Sequence, residues 1–264
     1  MLPKKDLQLY QPLFQKIFSE DSAFCDRIFS HRLDLVFDKR EDGKIQSFLF
    51  AIPFTARVFQ KEHKAVYVYG VATLPEARGK GYMKEVFKKM EDFFEKEIDF
   101  YYLVPANETL FSMYEKLGYQ TAFYLKKEML FPEKNPSLEY KIKEAPNSFH
   151  TDYIKWTQSF DTVVLRREED TAFYLSQGKY YKIEESGFYV EFSDSDPTTA
   201  HIRESYFENE HTTACMLDFL AKKGYTKAIF TTPQPKTPYG MVKIINSEIK
   251  LADFKNGYTN LNFD

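Results

Sequence analysis

Residues 78–81 read Arg-Gly-Lys-Gly, and the segments on either side give those two glycines a chemical use. Before them, residues 65–72 (Ala-Val-Tyr-Val-Tyr-Gly-Val-Ala) are a β-branched and aromatic run, as expected of a strand covered on both faces. After them, Met83, Val86, Phe87, Met90, Phe93 and Phe94 recur at spacings of three and one, which predicts an amphipathic helix. Positions without a Cβ let backbone N–H groups approach a phosphate oxygen closely, and the dipole of a helix N-terminus favours negative charge. The segment therefore reads as a site for a phosphorylated ligand, with a pyrophosphate as its natural guest. Two glycines also suit an ordinary strand-to-helix turn, and their spacing alone leaves both readings standing. A Walker loop is excluded, because the intervening residues and the Lys-Ser/Thr pair are missing. A dinucleotide fingerprint fails at Lys84, where a third glycine is required.

A second group lies downstream. Asn107 is followed by Tyr114 and then by Glu115-Lys116-Leu117-Gly118-Tyr119. Tyr114 sits beside Phe111, Met113 and Leu117 in a helical pattern, so its ring suits core packing and its phenol suits proton donation.

Taken together, the two groups resemble the GNAT superfamily of acyl-CoA-dependent N-acetyltransferases. Val71-Ala72-Thr73, Pro75, Arg78-Gly79-Lys80-Gly81 and Tyr82-Met83 are similar to that family's motif A, with Glu76 where the loop usually begins with Gln or Arg. The Asn107 to Tyr119 segment is similar to its Asn-to-Tyr-x-x-x-Gly-Phe/Tyr motif. The resemblance implies that the backbone of Val71, Ala72 and Thr73 pairs with the pantetheine arm of acetyl-CoA. It implies that Arg78, Gly79, Lys80, Gly81, Tyr82, Met83 and Lys84 surround the pyrophosphate, and that Asn107 hydrogen-bonds the pantetheine. Tyr114 would then be the general acid that protonates the departing thiolate.

The chemistry supplies independent reasons for such residues. An amine attacks a thioester only when neutral, and a lysine-like ammonium has a pKa of about 10.4, so its proton must be removed by a base or by desolvation. A strand N–H freed by a splay or bulge can polarise the carbonyl. No nucleophilic side chain is required. The residue that takes the proton is not apparent: residues 66–71 contain no carboxylate, and His63 reads as a solvated histidine in a charged turn.

The chain has 264 residues, enough for one large domain or two ordinary ones. With 43% hydrophobic and 28% charged residues and no long apolar run, it is neither disordered nor membrane-spanning by composition. A net charge of −3 argues against a nucleic-acid partner. Cys25 and Cys215, far apart, read as two buried or half-buried thiols, and no metal-ligand cluster is visible. No apolar segment follows the N-terminal lysines, so a cytoplasmic protein without a secretory signal is expected.

Helices are expected at 10–18, 22–29, 83–97 and 110–116, and strands at 33–37, 45–53, 65–72, 100–104 and 120–130, with a hairpin turn at Asp42-Gly43. This order is that of the GNAT fold, with a mixed, mostly antiparallel sheet that splays to receive the acyl carrier. Residues 131–137, with two prolines, read as a linker. Beyond a helix at 169–175, strands at 187–192, 201–207 and 227–231 and a helix at 212–223 repeat the strand-strand-helix-strand order, but Glu208-Asn209-Glu210-His211 replaces the glycine loop. The expected architecture is α/β (α+β): a GNAT domain at 1–131 and a degenerate GNAT-like domain without coenzyme at 138–264. Such a chain is similar to the enhanced-intracellular-survival acetyltransferases without their sterol-carrier-like domain. In that comparison Arg166-Arg167 and the segment 238–245 find loose counterparts. The resemblance implies acetyl-CoA as cosubstrate, no metal, and a small or peptidic primary amine as acceptor. The sequence also accommodates a non-catalytic acyl-CoA sensor with a partner-binding second module, or a longer acyl group. It leaves the acceptor and the oligomeric state open.

Overall fold

The computed structural model describes residues 7–31, 33, 35–95, 97–184, 186–192, 196–234 and 236–259. Residues 1–6, which bear on the expected absence of a secretory signal, lie outside them. The chain divides into two compact units. Unit 1 takes residues up to 122 together with 239–254, and unit 2 takes 123–238 with 255–262. The observed division thus falls earlier than the linker at 131–137, and a late segment belongs to the first unit.

In unit 1, helices α1 (Gln11–Phe18) and α2 (Ser22–His31) precede strands β1 (Val36–Glu41), β2 (Lys44–Val58) and β3 (Lys61–Thr73). Helix α3 (Tyr82–Phe94), strand β4 (Phe100–Leu103) and helix α4 (Thr109–Glu115) follow, and β5 (Gln120–Leu130) leads into unit 2. The β1–β2 hairpin closes at Glu41↔Lys44 through Asp42 and Gly43, with φ of 49° and 76°, the left-handed pair that suits strand twist. Strand β1 begins three residues later than expected and includes the charged Asp38, Lys39 and Arg40, because pairing with β2 overrides their low strand propensity. Strand β2 runs through an exposed Pro53 to Val58. The apolar stripe of α3 (Val86, Phe87, Met90 and Phe94) packs with Leu49, Val66, Val68, Tyr101 and Leu103. Each such fully buried side chain contributes about 1.5–3 kcal/mol of transfer free energy. The helix stops at Phe94, short of the expected residue 97, where Glu95 takes φ 40°.

Unit 2 contains β6 (Ile142–Glu144), α5 (Phe149–Thr157), β7 (Thr162–Val164), α6 (Glu168–Leu175), β8 (Gly178–Ile183), β9 (Gly187–Phe192), β10 (Thr199–Phe207), α7 (Glu210–Lys222) and β11 (Lys227–Pro233). Strand β12 (Thr237–Ile244) then enters unit 1, where Met241↔Leu103 through Ile244↔Phe100 pair it antiparallel to β4. Short β13 (Gly257–Tyr258) pairs parallel with β7. The sheet of unit 2 runs β5-β11-β10-β9-β8-β6.

The expected repetition extends to the pairing. In unit 1, β2 and β3 are antiparallel, and β3 and β4 are parallel across α3. In unit 2, β9 and β10 are antiparallel, and β10 and β11 are parallel across α7. Both units therefore carry the expected mixed, mostly antiparallel sheet, and the register is interrupted in the strand preceding each crossover helix, near Gly70 in β3 and at Arg203 in β10.

Their helix entries differ. Residues 74–81 lead into α3, whereas only residues 208 and 209 precede α7, and the Asn209 Oδ1 accepts from the Thr212 backbone N–H at 3.0 Å. The core of unit 2 holds a fully buried Arg166–Glu204 ion pair, with the guanidinium 4.3 Å from the ring centres of both Tyr153 and Tyr174. The Tyr258 hydroxyl also donates to Glu204. Arg167 is exposed, and its N–H meets Asp170 at the start of α6. Cys25 and Cys215 are both buried and unbridged.

Candidate active site of unit 1

Strands β3 and β4 pair through Ala65↔Phe100, Val66↔Tyr101 and Tyr67↔Tyr102 and then part, β3 continuing to Thr73 while β4 ends at Leu103. Just beyond the parting, Gly70 and Val71 together stand against Leu49, since Phe48 pairs with Ala72 and Phe50 with Tyr69. Gly70 takes φ +57°, and a Cβ there would lie 2.9 Å from Phe14 Cε2 and 3.0 Å from Phe50 Cδ2. Backbone conformation and space both require glycine. A bulge of this kind leaves one residue out of the ladder and re-aims the backbone.

Val71 and Met83 are partly buried against the core of unit 1, and Ala72 is buried. The Ser47 hydroxyl lies 2.9 Å from both the Ala72 carbonyl and the Thr73 hydroxyl, so the end of β3 is pinned and Thr73 Oγ1 is engaged within the protein. The chain then makes a short 3-10 turn at Pro75–Ala77 and passes through Gly79 and Gly81, with φ of +79° and +82°. A Cβ at either glycine would meet no heavy atom within 4 Å. Their backbones therefore border open space. No side chain caps the N-terminus of α3, so its first N–H groups point out unsatisfied by a cap.

The charges around this helix end are mixed. Lys80 lies 3.5 Å from Glu41, the Tyr82 hydroxyl also donates to Glu41, and Lys39 lies 2.7 Å from Glu85. The bond from Tyr82, reinforced by Lys80, holds the Glu41 carboxyl below the usual carboxylate range. Arg78 and Lys84 are exposed and form no ion pair among the described residues; the Arg78 Nε–H reaches the Thr73 carbonyl at 3.4 Å. Glu76, also exposed, stands in the 3-10 turn. The part played by Glu41 is invisible in the sequence, apart from the hairpin signal that places it at a strand end.

Asn107 is exposed, and its Oδ1 accepts from the Thr109 N–H at 3.1 Å and the Thr109 hydroxyl at 2.6 Å, starting α4. Its amide NH₂ is left for other partners. Tyr114, on α4, is 5% exposed, with its ring 6.1 Å from those of Phe87 and Tyr119. Its hydroxyl has no hydrogen-bond partner among the described residues. Burial pushes this phenol up to about 12.

The reading of His63 as solvated is corrected. It faces inward on β3, 7% exposed, with Nδ1 3.2 Å from Asp99 Oδ2. Asp99 also accepts from Asn246 at 2.5 Å and from the Lys64 N–H at 2.8 Å. At about 3.3 Å per residue, His63 lies about 30 Å along the strand from Thr73, so it belongs to the opposite end of the sheet. Arg166 and Arg167 are confined to unit 2, while the segment 238–245 largely forms β12.

The acetyltransferase (GNAT) domain family matches residues 8–122, the stretch that holds the splay, the bulge, the glycine loop and Tyr114. Residues 8–122 are a GNAT acetyltransferase domain. The fold of the whole chain is similar to that of a probable N-acyltransferase from Enterococcus faecalis V583, described as a conserved protein of unknown function (15% identity, 93% of this chain and 72% of that one, TM-score 0.77). It is also similar to a GCN5-related N-acetyltransferase from Anabaena variabilis (14%, 92% and 71%, TM-score 0.75). Eis1 from Mycobacterium abscessus shares the fold as well (10%, 96% and 75%, TM-score 0.69). Identities this low establish the fold alone, and the likeness extends beyond the GNAT domain into unit 2. No curated protein matches the sequence. Among the described residues no group of three metal-ligating side chains occurs, and no helix is long and apolar enough to cross a membrane.

Proposed function

We propose that the GNAT domain transfers an acetyl group from acetyl-CoA to a primary amine by direct attack. The observation that carries this reading is the uncapped N-terminus of α3 behind two left-handed glycines that border open space. Such a cradle suits a pyrophosphate, held by the N–H groups of residues 78–84 with Arg78, Lys80 and Lys84 as counter-charges. Tyr82 and Met83 form the first turn behind it. Val71, Ala72 and Thr73 at the splayed strand edge would pair with the pantetheine arm, and the Asn107 amide would donate to it. The neutral amine nitrogen attacks the thioester carbon, and the bulged backbone stabilises the oxyanion. The carbon–sulfur bond then breaks as Tyr114 gives its proton to sulfur, the amine's extra proton leaves to solvent, and Tyr114 regains a proton from solvent to close the cycle. Unit 2 would hold no coenzyme of its own, since α7 is capped by its own Asn209 and preceded by an acidic turn.

Purified protein offered acetyl-CoA and a panel of amines should release free thiol, and calorimetry should record coenzyme binding that weakens with salt and in the Arg78→Ala/Lys84→Ala variant. Binding without transfer to any amine would instead favour a non-catalytic acyl-CoA sensor. Absence of binding would remove both readings.

A further inference from the structure

Unit 2 contains an open cleft of about 360 Å³ between α5 and strands β8, β9 and β10. One wall is aromatic. Phe188 is buried, the half-buried Trp156 meets it edge-on at 5.7 Å, and Tyr206, 46% exposed, lies 6.4 Å away. An exposed tyrosine completing a shelf with two further rings is the kind of surface that covers a flat apolar body.

The polar wall holds Asp152, Lys155 and Lys182. Asp152 is fully engaged: the Tyr180 hydroxyl donates to it at 2.6 Å, and the Lys182 ammonium reaches its two oxygens at 3.2 and 3.3 Å. Burial raises this carboxyl, but the bonds from Tyr180 and Lys182 outweigh burial and hold it below the usual range, so it is ionised at neutral pH. Lys182 is thereby neutralised. Lys155, three residues along the same helix and so on the same face as Asp152, is exposed and has no ion-pair partner among the described residues. Among the described residues the cleft carries one uncompensated positive charge beside an aromatic shelf. The neighbouring cleft shares Lys182 and adds Lys141 and Lys143 beside Glu144 and Glu184, but no aromatic ring among the described residues lines it.

We propose that this cleft binds a small aryl-alkyl carboxylate. Its carboxylate is held by Lys155, with Lys182 behind, and its ring lies against Trp156, Phe188 and Tyr206. A cationic ligand is disfavoured because Asp152, the only carboxylate lining the cleft among the described residues, already has its donors. The inference concerns unit 2 alone and does not depend on the transferase reading of unit 1.

Trp156 is the only tryptophan of the chain, so its fluorescence reports on the cleft without mutagenesis. The full chain should be titrated with 3-phenylpropionate, 3-phenylpropanol and 3-phenylpropylamine, with calorimetry on the same samples to register binding that leaves fluorescence unchanged. The acid is expected to bind saturably, and the alcohol and amine about tenfold or more weaker. Lys155→Ala should weaken the acid by a similar factor without moving the urea midpoint, and Tyr206→Ala should weaken it as well. No saturable binding by either method, equal binding of the three probes, or wild-type affinity in both variants would overturn the proposal. A short peptide ending in a phenylalanine carboxylate serves as a further arm: binding tighter than that of 3-phenylpropionate would assign the cleft to a chain terminus and overturn the small-acid reading.

Discussion

Removing a single oxygen, by Tyr114→Phe, tests the proposed mechanism most directly. The ring packs against Phe87 and Tyr119, and the hydroxyl has no partner among the described residues, so phenylalanine keeps the packing and leaves no broken bond behind. Folding stability should change by less than about 0.5 kcal/mol, as for substitutions that disturb no packed or hydrogen-bonded group. In the reaction the same hydroxyl meets a sulfur that becomes negative as its bond to carbon breaks. A hydrogen bond to a charged group contributes about 1.5–3 kcal/mol, which corresponds to a fall of about 10- to 150-fold in kcat. The phenol, at about 12, lies about 3.5 units above an ordinary thiol, so complete transfer to a free thiolate is uphill by about 5 kcal/mol. The proton must therefore move in step with bond cleavage. It also stays on Tyr114 throughout the range in which the enzyme can be assayed, so the ratio of wild-type to variant kcat should be constant from pH 6 to about pH 10. Thiol release under saturating acetyl-CoA gives kcat, and calorimetry gives coenzyme affinity. The acid role is refuted by kcat within twofold of wild type, by kcat and affinity falling by one common factor, or by a ratio that collapses towards one between pH 8 and pH 10.

Other perturbations address the frame around the site. Gly70→Ala adds a Cβ 2.9 Å from Phe14 at φ +57°; left-handed strain and overpacking together should destabilise unit 1 by about 2–5 kcal/mol, read by urea denaturation. A fragment ending at residue 131 lacks the β12 pairing with β4, Met241 in the core and Phe254 against Phe100, and should show no cooperative unfolding transition; a sharp transition would show that the segment 239–254 is dispensable. Burial raises the Asp99 carboxyl, but Asn246, the Lys64 N–H and His63 together lower it below its unfolded value. Its contribution is present above the unfolded pKa and lost as pH falls through the folded one, so amide-exchange protection around Asn246 should decline on acidification below about pH 4, and Asp99→Asn should flatten that dependence. Glu204→Gln strands a buried Arg166 and should cost about 3–5 kcal/mol in unit 2, whereas replacing both partners with apolar residues should recover much of it.

Short-range signals in the sequence were sufficient wherever one element decides its own fate. Strand residues 120–130 and 187–192 occupy the expected bounds because turn residues frame their aromatic-rich runs, and α3 shows the expected apolar stripe except at Phe93, which is exposed. The glycine loop was legible for the same reason. His63 was not: its charged neighbours suggest a solvated turn, but strand alternation turns it inward with Ala65 and Tyr67, and Asp99, far along the chain, gives it a partner. Glu41 became part of the site only when the β1–β2 hairpin brought it to Tyr82. The return of residues 239–254 to unit 1 left no local trace, because pairing between β12 and β4 is a property of two strands that neither sequence encodes separately.

That return has a consequence for how the protein is made. Leu103 and Met241 are strand neighbours separated by about 140 residues of chain, so the sheet of unit 1 cannot close until the ribosome has passed residue 254. The strands that flank the vacant place in the nascent sheet must wait through the synthesis of nearly all of unit 2, exposed to edge-to-edge association with other chains. Translation pauses and chaperone occupancy over that interval therefore bear on the yield of the first unit, and a nascent chain released before it ends carries the glycine loop and Tyr114 without the strand that completes their sheet.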